Sequence, residues 1–218
     1  MGFYRGPNIV TDGLVFAVDA GSERSYSGSG TNWADLSGNA NNVTLTNGPV
    51  FNTGGYFEFD GTDDFGYNGS TSLEITGNVT MNAWIRHDGS GNSVGNYMSQ
   101  SQNSGYRMRR QGASGSALWI YASGNCVNGG AIYDNVWYMV TAVFSSSGLR
   151  AYINDDLVAS NTTAYASGTF GGGLYIGAYS TALELFGGDI SSCKIYNKAL
   201  SAAEVTQNYN AQKSRFGL

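Results

Sequence analysis

VWYMVTAVFSSSGLRAYINDDLVAS, residues 136–160, decides the fold. Its first nine residues are apolar at odd and even positions alike. An extended chain of that kind buries both faces, so it belongs in the middle of a sheet. LRAYINDDLVAS, 149–160, then reads as a hairpin. Asn154, Asp155 and Asp156 sit at its turn, and these residue types tolerate left-handed backbone.

The same signal recurs outward along the chain. YFEFD, 56–60, sets Tyr56, Glu58 and Asp60 against Phe57 and Phe59, and GTDD then turns. NVTMNAWIRH, 78–87, sets Val79, Met81, Ala83 and Ile85 against Thr80, Asn82, Trp84 and Arg86. That is a half-buried strand whose polar face carries one tryptophan. YRMRRQ, 106–111, and ALWIYA, 117–122, read as a second hairpin across GASGS. GLVFAVDA, VTLT, GGLYIGAYS and GGDISSCKIYN add further strands. Only ALSAAEVTQNYNAQ changes period. Ser201 and Glu204 form an S-x-x-E capping box there, and Val205 and Tyr209 follow at i, i+4 spacing. The chain therefore reads as all-β, about a dozen strands in two packed antiparallel sheets, with one short C-terminal helix.

Composition agrees and narrows the function classes. Charged residues make up 12% of the 218, against about 25% in a typical domain. The 32 glycines and 2 prolines suit many turns between strands. The net charge is −5, and no basic run exists beyond Arg107, Arg109 and Arg110, which argues against nucleic acid. No apolar stretch approaches the roughly 20 residues that span a bilayer, so no membrane insertion is expected. Cys126 and Cys193 lie outside any secreted-type framework; sequence leaves their pairing open, and free, partly buried thiols are expected. MGFYRGPNIV shows no charged region followed by an apolar one, so no secretory signal is visible and synthesis in a cytosol is expected.

Three stretches together resemble one family. YFEFDGTDDFGYNG…LEITGNVTMNAWIR is similar to the opening of the laminin G-like, concanavalin A-like jelly rolls. WYMVTAVFSSSGLRAYINDDLVAS resembles their central hairpin, with Asn154-Asp155 where the family usually has Asn-Gly. LYIGAYS…FGGDISSCKIYNKALSAAEVTQNYNA resembles their closing strand and helix. The resemblance implies a jelly-roll domain over 12–212, an N-terminal arm over 1–11 and a C-terminal tail over 213–218. The tail NYNAQKSRFGL resembles copies carried by tailed bacteriophages. That likeness implies a non-catalytic virion structural protein, a head decoration or tail-appendage component, made in the host cytoplasm. Its partners would be other capsid or tail proteins, or a second copy of itself. The alternative is a lectin-like adhesin that binds host-surface glycan, with or without calcium.

Three site readings follow. Glycanases of this fold carry an E-x-D-x-x-E strand, and the matching frame here is Glu58, Asp60 and Asp63. The last glutamate is replaced by a shorter aspartate beyond a turn. Retaining chemistry needs carboxyl groups about 5–5.5 Å apart, so no catalysis is expected. Lone His87 has no triad partner motif and is expected as an exposed strand-end imidazole. Asp60, Asp63 and Asp64 are oxygen donors that suit calcium, which no other feature requires. The competing reading is a turn in which Asp60 or Asp63 caps backbone N–H groups. For sugar, Trp84, Tyr106, Arg107 and Trp119 could form an aromatic and cationic platform. The competing reading places Trp84 and Trp119 in the core. In WADLSGNANN, Trp33 is expected beneath a sheet edge and Asp35, Asn39 and Asn41 in turns. Phe3, Tyr4 and Phe216 are aromatics near the chain ends that would gain by docking on a partner.

Overall fold

The structure, a computed structural model, describes residues 8–91, 94–100, 105–165, 170–181 and 183–218. Sixteen strands occur among them. The first six are β1 (Leu14–Asp19), β2 (Asn32–Trp33), β3 (Val43–Thr46), β4 (Val50–Asn52), β5 (Tyr56–Asp60) and β6 (Phe65–Asn68). The middle six are β7 (Val79–Gly91), β8 (Val94–Gln100), β9 (Tyr106–Gln111), β10 (Ser116–Ala122), β11 (Asn125–Ile132) and β12 (Tyr138–Ser145). The last four are β13 (Gly148–Ile153), β14 (Asp156–Ser160), β15 (Leu174–Ile176) and β16 (Phe186–Tyr196). Helix α1 (Ala202–Gln212) and two single 3-10 turns, Thr71–Leu73 and Lys213–Phe216, complete the list of elements.

Two eight-stranded sheets result. The first runs β14-β13-β12-β7-β16-β5-β4, with β1 also paired to β16. The second runs β11-β10-β9-β8-β15-β6-β3-β2. Between them lies one core that includes Phe16, Phe57, Phe59, Met81, Ile85, Met108, Ile120, Phe144 and Ile190. Burial of each such side chain is worth about 1.5–3 kcal/mol, and this is what holds the two sheets face to face.

The double apolarity of 136–144 now has a cause. β12 lies between β7 and β13. Its inner residues Val140, Ala142 and Phe144 enter the core. Met139 and Val143 point the other way, against Leu200 and Val205 at the start of α1. The β13–β14 turn has positive φ at Asn154 (58°) and not at Asp155. The type I′ turn that Asn-Gly favours needs positive φ at both central residues, so this turn is of another type.

The helix is capped as expected: Ser201 accepts from the Glu204 N–H, and the Glu204 carboxylate accepts from the Ser201 N–H. Residues 213–218 do not form a free tail. Phe216 stacks on Trp84 at 4.1 Å between ring centroids and lies 4.7 Å from Trp137. Arg215 bonds Asp19 at 2.6 Å and also the Gly55 carbonyl. The expectation that Phe216 is available to a partner is therefore corrected, because its ring is part of the covering of the first sheet. Phe3 and Tyr4 lie outside the described residues. Within the N-terminal arm, Val10 is buried against the same layer, and its N–H donates to Asn208 at 2.8 Å.

Other expectations resolve locally. Trp33 is buried, and the Asp35 carboxylate accepts from the N–H groups of Ala17, Ser37 and Asn41, so the loop is shaped as a turn. Both cysteines are free; Cys193 is buried, but the expectation of partial burial is corrected for Cys126, which is exposed on β11. His87 is not exposed: it is 2% accessible, with Nε2 3.0 Å from the Tyr97 hydroxyl and its ring against Phe186. The strand runs on past it to Gly91, so the imidazole sits within the sandwich rather than at its rim.

Candidate functional site

Strand alternation builds a polar surface on β9 and β10. In β9, Tyr106 and Met108 face the core while Arg107, Arg109 and Gln111 face outward. In β10, Leu118 and Ile120 face the core while Trp119 and Tyr121 face outward. Register then sets Arg109 between Asn96 and Trp119, and Arg107 between Ser99 and Tyr121. The five outward side chains share the outer face of the second sheet, and no helix among the described residues crosses it.

A loop supplies the counter-charge. Between β15 and β16, Glu184 adopts φ 51°, uncommon for a non-glycine residue. Its carbonyl accepts from the Asn96 N–H at 3.1 Å, which fixes it over β8. Its carboxylate Oε2 accepts from Arg109 Nη1 at 2.5 Å, from Asn96 Nδ2 at 2.5 Å and from Arg107 Nη1 at 3.3 Å. Burial opposes ionisation of Glu184, but the bonds from Arg109 and Asn96 outweigh it and lower its pKa. Arg109 is likewise held charged: burial works against it, and Glu184 and the Tyr121 hydroxyl, 2.7 Å away, outweigh that. Arg107 differs. Burial and repulsion from Arg109 lower its pKa, and Glu184 compensates only in part.

Aromatic rings surround these charges. The Arg107 guanidinium lies 4.5 Å from the ring centroids of both Tyr121 and Tyr179. Arg109 lies 4.6 Å from Tyr121. Trp119 and Tyr121 are stacked, 5.6 Å apart with 15° between planes, and both are half-buried. Gln111 accepts from Arg109 at 3.0 Å and from the Tyr121 hydroxyl at 3.1 Å. The same face continues into a second aromatic group, where Tyr175 packs on Phe65 and Tyr67 beside Leu185. Such a surface offers flat rings for apolar C–H faces and fixed donors for oxygen ligands.

Of the four sugar-platform residues expected, the structure brings together two, Arg107 and Trp119. Trp84 is fully buried on the other sheet, under Phe216 and Tyr209, with Nε1 donating to Gln212 at 3.2 Å. Tyr106 is fully buried between the sheets, and its hydroxyl bonds the Leu73 carbonyl. Neither is available to a ligand. Arg109, Tyr121, Tyr179, Glu184, Asn96 and Gln111 were missed. Period-two phasing of YRMRRQ and LWIYA could have found Arg109, Gln111 and Tyr121. The loop residues Tyr179 and Glu184 carried no local signal.

The acidic turn is a second candidate. Ligand oxygens of Asp60, Asp63 and Asp64 lie within 4.8 Å of one another. Asp60 Oδ1 accepts from the N–H groups of Thr62, Asp63 and Asp64 at 2.8, 3.2 and 3.4 Å, and the Asp60 N–H donates to Asp64 Oδ2 at 3.1 Å. Slight burial opposes it, but these donors lower the Asp60 pKa. Burial, reinforced by the charges of Asp60 and Asp63, raises Asp64 to about 6. One oxygen of Asp60 is thus engaged by the turn itself. A cation could use its other oxygen with Asp63 and Asp64, and would relieve the mutual repulsion.

The glycanase frame falls on the outer face of the first sheet. Glu58 bonds Asn52 at 3.1 Å and lies across from Asp189. Asp189 is paired with Arg86 at 2.5 Å, although burial outweighs that pair and keeps its pKa raised. Arg86 in turn lies over Tyr56 and Trp137 at 5.3 and 5.2 Å.

Comparison with known proteins places this architecture. A family profile described as the concanavalin A-like lectin/glucanases superfamily matches residues 59–206. The match covers well over half of the chain, and the chain belongs to that family. No curated protein matches it significantly. Among solved structures, a Trypanosoma rangeli sialidase in complex with sialic acid superposes with a TM-score of 0.72 at 12% identity, over 93% of this chain and 33% of the sialidase. The binding domain of botulinum neurotoxin serotype D superposes with a TM-score of 0.67 at 17% identity, over 93% of this chain and 53% of that one. The chain thus spans a third to a half of these neighbours, and at such identities the likeness is one of fold.

Proposed function

We propose that this concanavalin A-like domain is a non-catalytic carbohydrate-binding module whose ligand lies on the outer face of the second sheet. The observation that carries the reading is the stacked Trp119–Tyr121 pair beside Arg107 and Arg109, on a face that no helix among the described residues covers. Sugar rings stack on such aromatics through their C–H faces while hydroxyls meet the fixed donors and acceptors. The neighbours give support from outside the chain, since one is a sialidase solved with sialic acid and another is a toxin binding domain. A glycan array probed with the wild type and Trp119→Ala tests it. Binding by the wild type that disappears in the variant, at unchanged melting temperature, is expected. A wild type that retains no sugar, with calcium or with chelator, refutes it.

The non-catalytic part is supported by the state of the carboxylates. Asp60 is bound by three backbone donors and Asp189 by Arg86. Release of new reducing ends from a polysaccharide bound by the domain would overturn it. The module's place on a tailed-phage particle, head or tail, is supported by the resemblance of its closing segment. The docking of Phe216 on Trp84 leaves attachment to other surfaces. Particles that contain no copy of the chain by mass spectrometry would end that part of the reading.

A further inference from the structure

The face holds two guanidiniums and one carboxylate. Glu184 bonds Arg109 at 2.5 Å and reaches Arg107 only at 3.3 Å. The Arg107 guanidinium carries five N–H donors, and its bond to Glu184 is the one side-chain hydrogen bond it makes among the described residues. Its faces lie against Tyr121 and Tyr179, while its side chain keeps 20% of its exposure. The rings therefore remove water from above the guanidinium plane, and the remaining N–H edge meets no partner among the described residues. A half-buried cation without its own counter-ion is costly, and an incoming anion relieves that cost where a neutral hydroxyl does not.

We propose that Arg107 makes this face selective for acidic saccharides, the sugar ring stacking on Trp119 while its carboxylate takes the remaining edge of the guanidinium. The planar fork of arginine matches a carboxylate in a bidentate manner that an ammonium does not reproduce. The chain's net charge of −5 repels anions at long range, so the selectivity is local and belongs to this cluster. The inference rests on the carbohydrate-binding reading and refines it.

Calorimetry on the full chain with three oligosaccharides of equal length separates the two. One is neutral, one contains uronate, and one is the neutral sugar carrying O-sulfate. The uronate ligand is expected to bind best, and Arg107→Ala to weaken it about 10- to 100-fold, the range for a hydrogen bond to a charged group. Arg107→Lys should recover only part of the loss. Where Arg107→Ala does not fold, reduction of the uronate to the neutral hexose asks the same question of the wild type and should weaken binding equally. Equal binding of neutral and uronate ligands, or insensitivity to Arg107→Lys and to carboxylate reduction, overturns the acidic selectivity and leaves the carbohydrate reading standing. Preference for the sulfated ligand alone overturns the carboxylate assignment. Absence of binding to all three refutes the carbohydrate reading itself, and the inference with it.

Discussion

Acid should destabilise this protein through His87, its sole histidine. The ring is 2% exposed, 4.8 Å from Phe186 and 3.0 Å from the Tyr97 hydroxyl. Burial, then the nearby charge of Arg110, push its pKa down to about 3, with Asp134 acting weakly the other way. An unfolded chain titrates its histidine near 6.5. Between those values the unfolded state binds a proton that the folded state refuses, so stability is full above about pH 6.5 and is lost as the pH falls toward 3. From pH 7 to pH 5 the loss is about 2 kcal/mol from this group alone. Asp64 acts in the opposite sense, because its raised pKa, about 6, lets the folded state take up a proton first. The wild type alone would therefore mix the two. His87→Gln keeps a partner for Tyr97 and cannot titrate. Urea unfolding of both proteins at pH 7 and pH 5 should show the gap between them shrink or reverse by about 2 kcal/mol. With one histidine, its imidazole resonance needs no assignment, and its shift should stay flat down to about pH 4.5. An NMR midpoint near 6.5, with a pH-independent gap between the two proteins, would refute the reasoning.

Other perturbations probe the remaining contacts. Glu184→Gln leaves Arg107 and Arg109 to repel each other and should cost about 2 kcal/mol, less than a fully buried pair because the carboxylate keeps 28% exposure; an unchanged denaturation midpoint would contradict this. Phe216→Ala uncovers Trp84 and should cost about 2–3 kcal/mol with a red shift in tryptophan emission; unshifted emission would mean that the ring does not cover Trp84. Asp60→Ala removes the acceptor of three turn N–H groups and should cost about 2 kcal/mol with or without calcium. A cost seen only with calcium would instead make Asp60, Asp63 and Asp64 a metal site.

The fold was legible because period-two alternation is a property of single strands. YFEFD, YRMRRQ and VTLT have the bounds read from sequence, and the Ser201–Glu204 box fixed the helix start. Strands whose faces are both buried or mostly polar were harder: Val94–Gln100 and Asn125–Ile132 went unread. The site was legible by half. Alternation gives a face, but it does not say which faces meet solvent. Trp84 and Trp119 look alike in sequence, each on the polar side of its strand. The difference between them is a covering that arrives from residues 200–216, more than a hundred positions away from Trp84. Tyr106 failed for a different reason: the alternation of YRMRRQ puts it on the face of Met108, opposite Arg107, and that phase carries it into the core. Glu184 could not be read at all, because its role depends on a loop that folds back over β8.

The two outer faces differ in how the chain treats them, and the face proposed for recognition is the one without a covering helix among the described residues. On the first sheet the chain covers itself: Leu200, Val205, Tyr209 and Phe216 lie over Trp84, Met139, Val143 and Tyr196. Apolar residues on that face therefore contribute burial, and the strands can be apolar on both sides. On the second sheet no helix among the described residues follows, and the outward positions of β9 and β10 are arginine, glutamine, tryptophan and tyrosine instead. If that face were only a solvated surface, its charges would gain little from mutual pairing. Instead one carboxylate is brought in on a loop at a left-handed residue, and it is bonded by Asn96 as well as Arg109. A positive φ at a glutamate costs conformational energy that the fold must offset elsewhere. The return on the outer face is a fixed position for two guanidiniums against aromatic rings, which is the preorganisation a ligand site requires and a bare surface does not.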